Sequence, residues 1–264
     1  MMELNPTDVD AWFASYGALL LNVTRLAHAS AIAVPLLAVG IELLLIAPHT
    51  AHWQALIGHL RASCLRCLLT YDANPLTVPS EQTVVGFWPQ LDFVGVDLYF
   101  PYVLSRDMNA TATMPGRAAM RALYDHILDV KLMQWYRNLS GSLPPLLVAE
   151  SGYPSSNFGL QSPWLSAPEG CRNASLHLAN GYNPYAGNQS AQAAGLSVQF
   201  EALTAPAVAA SFAGFVQFWQ GYGGTGDGYA TRDAPDSSWA CGWTTAGKAE
   251  PTAMMRAAFA LPSK

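Results

Sequence analysis

Five short, mostly apolar segments alternate along the chain with longer segments whose apolar residues recur at helical spacing. Apolar segments of this length are typical of strands that are covered on both faces of a parallel sheet. We predict the strands at residues 36–43, 68–73, 91–100, 146–150 and 212–219.

The apolar periodicity between these segments indicates helices. We predict them at residues 8–29, 53–60, 120–135, 189–204 and 246–260. Strands that alternate with helices imply an α/β fold with a parallel sheet, either doubly wound or closed into a barrel.

Length and composition favour one folded domain. The chain has 264 residues, of which 51% are apolar, which is ample for a buried core. We predict a single domain over residues 1–264 with a polar loop insertion at about residues 154–188. Charged residues make up 12% and the net charge is −5, so a basic surface for nucleic acid is not expected.

The apolar run at residues 31–48 has nearly the length of a membrane span. It contains Pro35, Gly40 and Glu42, and a carboxylate in mid-bilayer costs roughly 2–3 kcal/mol. We therefore expect a buried strand here and no membrane partner.

Four cysteines are present. Cys64 and Cys67 form a lone Cys-x-x-Cys with no second pair to complete a zinc site, which favours two thiols at a helix end over a metal or redox site. In an oxidising compartment, Cys171 and Cys241 are candidates for a disulfide.

The sequence also bears on localisation. Five Asn-x-Ser/Thr sequons indicate a glycoprotein of the secretory pathway, at Asn22, Asn109, Asn138, Asn173 and Asn188. The first ten residues, MMELNPTDVD, lack the basic and apolar pattern of a signal peptide. The sequons alone therefore support a secreted or secretory-pathway protein.

No motif indicates a cofactor or a metal. The glycine-rich segment at residues 221–229 follows a predicted strand but opens no helix, and no short-spaced His/Asp/Glu cluster occurs. We expect neither a cofactor nor a metal ion.

Polar and aromatic residues recur where the predicted strands end. In a parallel barrel the carboxyl ends of the strands form the active-site face. The residues at these ends include Glu42, Asn74, Asp97, Tyr99, Glu150 and Trp219.

Two carboxylates in an aromatic pocket are what glycosidic bond cleavage requires. One is protonated and releases the leaving oxygen, while the other is ionised and attacks or activates water. Each residue also has a structural alternative: Glu42 as an ion-pair member, Glu150 as a partner of the following loop, and Trp219 as a core residue.

Five segments stand out together along the chain: VGIELLLIAPHTAHWQALI, LLTYDANPLTV, FWPQLDFVGVDLYFPY, LLVAESGYPS and FAGFVQFWQGY. In this order they resemble the second half of retaining TIM-barrel glycoside hydrolases, most closely glycoside hydrolase family 113, the β-mannanases. The resemblance runs from about Trp12 to Lys248, without the loop at 155–188. It implies the (β/α)8 barrel fold and hydrolysis of a β-linked polysaccharide, first of all β-1,4-mannan.

The resemblance also implies site residues. Glu42 matches the acid/base that ends strand four, and Glu150 matches the nucleophile that ends strand seven. Tyr99 matches a tyrosine near the nucleophile, Trp219 the aromatic floor of the sugar site, and Asn74 an asparagine of the family. We further expect Asp97 and, by stacking on a sugar, Trp164 to bind the substrate.

Two departures from the family pattern are visible. Ile41 stands where the family has a polar Asn or Thr before the acid/base. The five βα units correspond to strands four to eight, and strands one to three have no counterpart. We expect a fragment of a longer protein, with completion by a partner chain or degeneration as alternatives.

The missing strands lead to two expectations about the chain itself. The 264-residue chain expressed alone should be insoluble or inactive. The alternative function is a non-catalytic carbohydrate-binding or degenerate pseudo-enzyme module. In either case the expected partner is a polysaccharide or oligosaccharide, and the expected state is a monomer.

Overall fold

The structure is a computed structural model, and it describes residues 4–30, 35–102, 114–139, 142–156, 159–163, 188–215 and 253. The chain forms two compact units. The first comprises Met1–Leu98, Asp129–Glu150 and Ser211–Val216, and the second comprises Tyr99–Leu128, Ser151–Ala210 and Gln217–Lys264.

One parallel sheet holds five strands in the order in which they occur along the chain. The strands are β1 (Leu36–Ile41), β2 (Leu68–Ala73), β3 (Phe93–Leu98), β4 (Leu146–Ser151) and β5 (Phe212–Phe215). This confirms the α/β fold with a parallel sheet. The five described strands do not close into a complete barrel.

Helices separate these strands as the periodicity predicts. The helices are α1 (Val9–Ala29), α2 (Thr50–Ser63), α3 (Arg117–Leu128), α4 (Gln134–Asn138), α5 (Gln189–Leu203) and α6 (Pro206–Ala209). A π-helical turn at Asp129–Met133 joins α3 to α4, so the helix predicted at 120–135 is not regular throughout. Short 3₁₀ turns at Glu81–Thr83 and Trp88–Gln90 lie between β2 and β3.

An aromatic cluster forms the core of the first unit. Trp53 of α2 is fully buried and contacts Tyr71 of β2 and Phe87, with ring centroids 5.6 and 5.2 Å apart. Gly40 makes room for this packing, because a Cβ there would lie 2.7 Å from the ring of Tyr71. The tight packing fixes β2 against β1, and β2 carries several residues of the candidate site.

The second unit is held together by α3, α5 and buried tyrosines. The Tyr102 hydroxyl donates to the carbonyl of Gly195 at 2.6 Å, and the Tyr153 hydroxyl donates to that of Phe100 at 2.9 Å. On the surface, Arg117 of α3 pairs with Glu201 of α5 at 2.7 Å. These contacts bury the tyrosines with their hydroxyl groups satisfied.

The cysteine pair corrects the sequence analysis. Cys64 and Cys67 are joined by a disulfide, with Cα atoms 5.4 Å apart, so the prediction of two free thiols is wrong. The turn that follows α2 brings the residues within disulfide range, which residue spacing alone does not reveal. Cys171 and Cys241 lie outside the described residues.

Within the described part of the chain, no helix is long and apolar enough to cross a membrane. Residues 36–41 of the apolar run form the expected strand, β1, but the strand is buried only at Val39 and Gly40, and its end residues Leu36 and Ile41 are exposed.

Candidate active site

Glu42 is the first residue after β1. Its backbone φ is +49°, a left-handed conformation that is uncommon outside glycine, and its N–H donates to the carbonyl of Asp72 at 2.9 Å. The pairing of β1 with β2 is also irregular between Ala38 and Ile41. The direction of the half-buried Glu42 side chain is therefore set by this turn rather than by the regular alternation of the strand.

Asn74 holds the carboxylate of Glu42. Its side-chain Nδ2 donates to Glu42 Oε1 at 2.6 Å, while its Oδ1 accepts from the N–H of Leu76 at 2.9 Å. Because the amide oxygen is engaged by the backbone, the amide nitrogen faces Glu42. Asn74 thus orients the carboxylate to which the family resemblance assigns acid/base chemistry.

Glu81 supports this arrangement through hydrogen bonds to Tyr71 and Asn74. It lies in the 3₁₀ turn after β2, is fully buried, and accepts from the Tyr71 hydroxyl at 2.5 Å and from the Asn74 N–H at 2.9 Å. The Tyr71 hydroxyl in turn accepts from the N–H of Leu43 at 3.1 Å. Burial raises the pKa of Glu81, while its hydrogen bonds oppose the shift and the charge of Glu42 adds to it.

The sequence analysis missed Glu81. It stands in a polar, proline-containing loop, TVPSEQT, that carries no strand or helix pattern. No signal in the sequence points to a buried carboxylate at this residue. Its role depends on the path of the loop, which returns to the end of β2.

Asp72 and Asp97 are two buried carboxyls on neighbouring strands, with 5% and 1% of their surface exposed. Burial, followed by the charge of Glu150, raises the pKa of Asp72 to about 7. The pKa of Asp97 is raised well above its ordinary value by burial first and then by Asp72, Glu150, Glu42 and Glu81. Both Asp97 oxygens lack a hydrogen-bond partner among the described residues.

Glu150 lies at the carboxyl end of β4 and is half-buried. Its charge acts on Asp72 and on Asp97, and the charge of Glu42 acts on Asp97 as well. Glu42 and Glu150 therefore lie close to a common neighbour. The first unit brings together four of the predicted site residues, Glu42, Asn74, Asp97 and Glu150.

The structure does not place the three other predicted site residues with these four. Tyr99 is buried and belongs to the second unit. Trp164 and Trp219 lie outside the described residues. The roles of all these residues in substrate binding stay predictions.

Where the structure describes the chain, no group of three or more His, Cys, Asp or Glu side chains is arranged to hold a metal ion. Neutral groups donate hydrogen bonds to three of the carboxyls: Thr70 to Asp72, Asn74 to Glu42, and the Tyr71 hydroxyl and the Asn74 N–H to Glu81. The chemistry that these residues can support is proton transfer and nucleophilic attack by carboxylates.

Comparison with solved structures shows the fold. A GH113 β-1,4-mannanase is 18% identical with a TM-score of 0.61, and the match covers 98% of this chain and 67% of that chain. The GH113 β-mannanase AaManA of Alicyclobacillus acidocaldarius, solved in complex with ManMIm, is 20% identical with a TM-score of 0.65, covering 98% and 66%. This chain thus spans about two thirds of the length of those proteins.

Comparison of sequences identifies the family. No curated protein sequence matches the chain. Residues 3–170, well over half of the chain, match the sequence model of Glycoside Hydrolase Family 113. The chain therefore belongs to glycoside hydrolase family 113.

Proposed function

We propose that the protein is a retaining glycoside hydrolase that cleaves a β-linked polysaccharide, first of all β-1,4-mannan. The observation that carries the proposal is the placement of Glu42 and Glu150 at the carboxyl ends of β1 and β4, beside the common neighbour Asp97. Family membership and the similarity to two solved β-mannanase structures support it.

The reaction is a double displacement by two glutamates. Glu150 attacks the anomeric carbon while Glu42 protonates the leaving glycosidic oxygen, which gives a covalent glycosyl-enzyme. Glu42 then removes a proton from water, and the water releases the sugar from Glu150. Asn74 contributes by holding the Glu42 carboxylate through its 2.6 Å hydrogen bond.

The charge of the site favours this chemistry. The transition state resembles an oxocarbenium ion, so negative charge around the anomeric carbon stabilises it. The same charge disfavours sugars that carry carboxylates. We therefore expect neutral β-linked polysaccharides such as mannan to be substrates in preference to polyuronates.

Hydrolysis of β-1,4-manno-oligosaccharides tests the proposal. Wild-type protein should release shorter oligosaccharides with the β configuration retained, as followed by proton NMR of the fresh product. E150A should abolish release and keep oligosaccharide binding measurable by calorimetry. E201Q, which alters an exposed glutamate of α5, should behave as wild type.

A structure of the protein with a bound oligosaccharide tests the stereochemistry separately. Carboxyl groups of Glu42 and Glu150 about 5–5.5 Å apart are expected for retention. A separation of about 6.5–9.5 Å, or a product of inverted configuration, would contradict the retaining mechanism.

One observation favours a second candidate function, a non-catalytic carbohydrate-binding module. Ile41 is 44% exposed immediately before Glu42, where the family resemblance leads us to expect a polar residue that contacts sugar. Binding of manno-oligosaccharides by wild type and E150A, with no hydrolysis by either, would support this alternative. Gain of hydrolysis in I41N would then identify the lost contact.

We also propose that the protein passes through an oxidising compartment. The disulfide between Cys64 and Cys67 supports this, because disulfides are rare in reducing compartments. Alkylation of thiols in protein from its native source, before and after reduction, should reveal two additional thiols after reduction in the peptide containing residues 64 and 67. Full alkylation before reduction would contradict the proposal.

A further inference from the structure

Asp72 and Asp97 lie side by side on one face of the sheet. The parallel pairing of β2 with β3 places Asp72 opposite Gly95, and Asp97 is two residues further along β3 and so on the same face as Gly95. The Asp72 carboxyl extends over Gly95, since a Cβ at Gly95 would lie 2.2 Å from Asp72 Oδ1. The absence of a side chain at Gly95 thus leaves room for the Asp72 carboxyl on the face of β3 that also carries Asp97.

Neither carboxyl has a cation near it in the described chain. The ion pairs of arginine residues there involve other acidic residues, namely Asp92, Asp125, Asp129 and Glu201. Among the described residues, Asp72 accepts a hydrogen bond only from the Thr70 hydroxyl, at 3.4 Å, and the two oxygens of Asp97 have no hydrogen-bond partner. A buried carboxylate without a partner is strongly disfavoured, and protonation removes this penalty.

Among the described residues, the charges that raise the pKa of the pair come from acids. They are Glu42 after β1, Glu81 from the 3₁₀ turn and Glu150 from β4. Two neighbouring carboxyls surrounded by further carboxylates do not both ionise near neutral pH, since one charge opposes the other.

We propose that Asp72 and Asp97 share a proton as a carboxyl pair. This proton limits the negative charge beside Glu150. The functional part rests on the proposed glycosidase mechanism, in which Glu150 must be ionised to attack. A second full charge beside Glu150 would favour its protonated, unreactive form. Asp97 and Asp72 act here through Glu150 and need no contact with the sugar.

Infrared difference spectroscopy tests the shared proton without reference to activity. At about pH 9, where Asp72 with its pKa of about 7 is ionised on its own, wild type should show the carbonyl band of a protonated carboxylic acid, and D97N should lack it. D125N, which alters a half-exposed aspartate of α3, should keep the band. If D97N does not fold, loss or displacement of the band in D72N has the same meaning.

The pH dependence of hydrolysis tests the functional part. Asp72, with its pKa of about 7, gains a charge beside Glu150 near that pH, and D72N cannot, so a change of kcat/KM centred near pH 7 should be present in wild type and absent from D72N. A merely structural role would lower the rate and leave this change in place.

The two measurements separate the possible failures. Equal infrared spectra for wild type and D97N would show that Asp97 is ionised and would overturn the pair. A band lost in D97N, together with a change of kcat/KM near pH 7 that persists in D72N, would overturn the effect on Glu150. If wild type hydrolyses no substrate, the glycosidase proposal fails, and with it the role assigned to Glu150, while the infrared result still decides whether the proton is shared.

Discussion

Glu42 occupies a backbone conformation that few non-glycine residues adopt, with φ at +49°. Such conformations are held by the surrounding structure at a penalty of about 1–3 kcal/mol. Here the hydrogen bonds from the Glu42 N–H to Asp72 and from Asn74 to the Glu42 carboxylate supply that support. The carboxylate is thus positioned by its neighbours on β2 and after it, and these neighbours are the residues to alter.

Replacing Asn74 with Ala should release Glu42 from its fixed orientation. We expect kcat to fall by about 10–100-fold with a smaller change in KM, since misplacement of a catalytic group by about 1 Å has effects of this size. Steady-state kinetics on a manno-oligosaccharide would measure both constants. N138A, at the exposed end of α4, is the matched control. A large rise in KM with kcat unchanged would instead assign Asn74 to substrate binding.

Asp72 should make the stability of the protein depend on pH. Its pKa is about 7 in the folded protein against an ordinary value of 3.8, so between these values the folded state binds more protons than the unfolded state. Stability should therefore fall as pH rises from about 4 to about 7 and stay lower above that. The difference of about three pKa units corresponds to at most about 4 kcal/mol.

The substitution D72N should remove this dependence. We expect D72N to unfold at higher urea concentration than wild type at pH 8, with a much smaller difference at pH 4. D125N should follow the wild-type curve. Parallel curves for wild type and D72N over this range would show that Asp72 ionises normally in the folded protein.

Among the strands, β2 and β3 approach each other through Gly95. A Cβ there would lie 2.6 Å from the backbone carbonyl of Tyr71 and 2.2 Å from Asp72 Oδ1, so the neighbouring atoms must shift to admit it. Gly58, in the middle of α2, has no atom within 4 Å of the corresponding position. These two glycines separate the effect of packing from the effect of backbone freedom.

G95A and G58A should therefore have opposite effects on the free energy of unfolding. We expect G95A to destabilise the protein by about 1–3 kcal/mol through overpacking. G58A should stabilise it by up to about 1 kcal/mol, because Ala is favoured over Gly within a helix. Urea denaturation measures both. Equal stability of G95A and wild type would show that the sheet relaxes around the added methyl group.

At the scale of the whole molecule, β1 and α1 expose large apolar side chains. Leu19 and Leu26 of α1 are 58% and 73% exposed, and Leu36 and Ile41 of β1 are 47% and 44% exposed. The two elements are in contact, since the Tyr16 hydroxyl donates to the carbonyl of Val39 at 2.9 Å. Exposed apolar side chains on adjoining elements, one of them a strand at the sheet edge, favour association.

We expect the 264-residue chain expressed by itself to associate through this surface. The double variant L19E/L26K should remain in solution at a higher protein concentration than wild type, as measured by sedimentation and light scattering. L65K, which alters a leucine that is 90% exposed on a turn, is the control and should change little. Equal association of L19E/L26K and wild type would exclude α1 as the contact.

Much of the architecture could be predicted from the sequence because it depends on local patterns. β2 was predicted with its exact bounds, and helix periodicity located α1 and α5 to within one residue at each end. The predicted strand at 36–43 was too long, because apolar residues continue past Ile41 while the backbone turns at Glu42. Hydrophobicity does not report such a turn.

The sequence by itself determined the order of strands and helices, the family, and the polar residues at the strand ends, since each is written in a short stretch of chain. Only the tertiary structure decided which carboxyls meet. Glu81 reaches the site through the path of its loop, and Asp72 lies over the face of β3 that carries Asp97 because the strand register pairs Asp72 with Gly95. Such neighbours depend on register and packing, which arise between segments and not within any one of them.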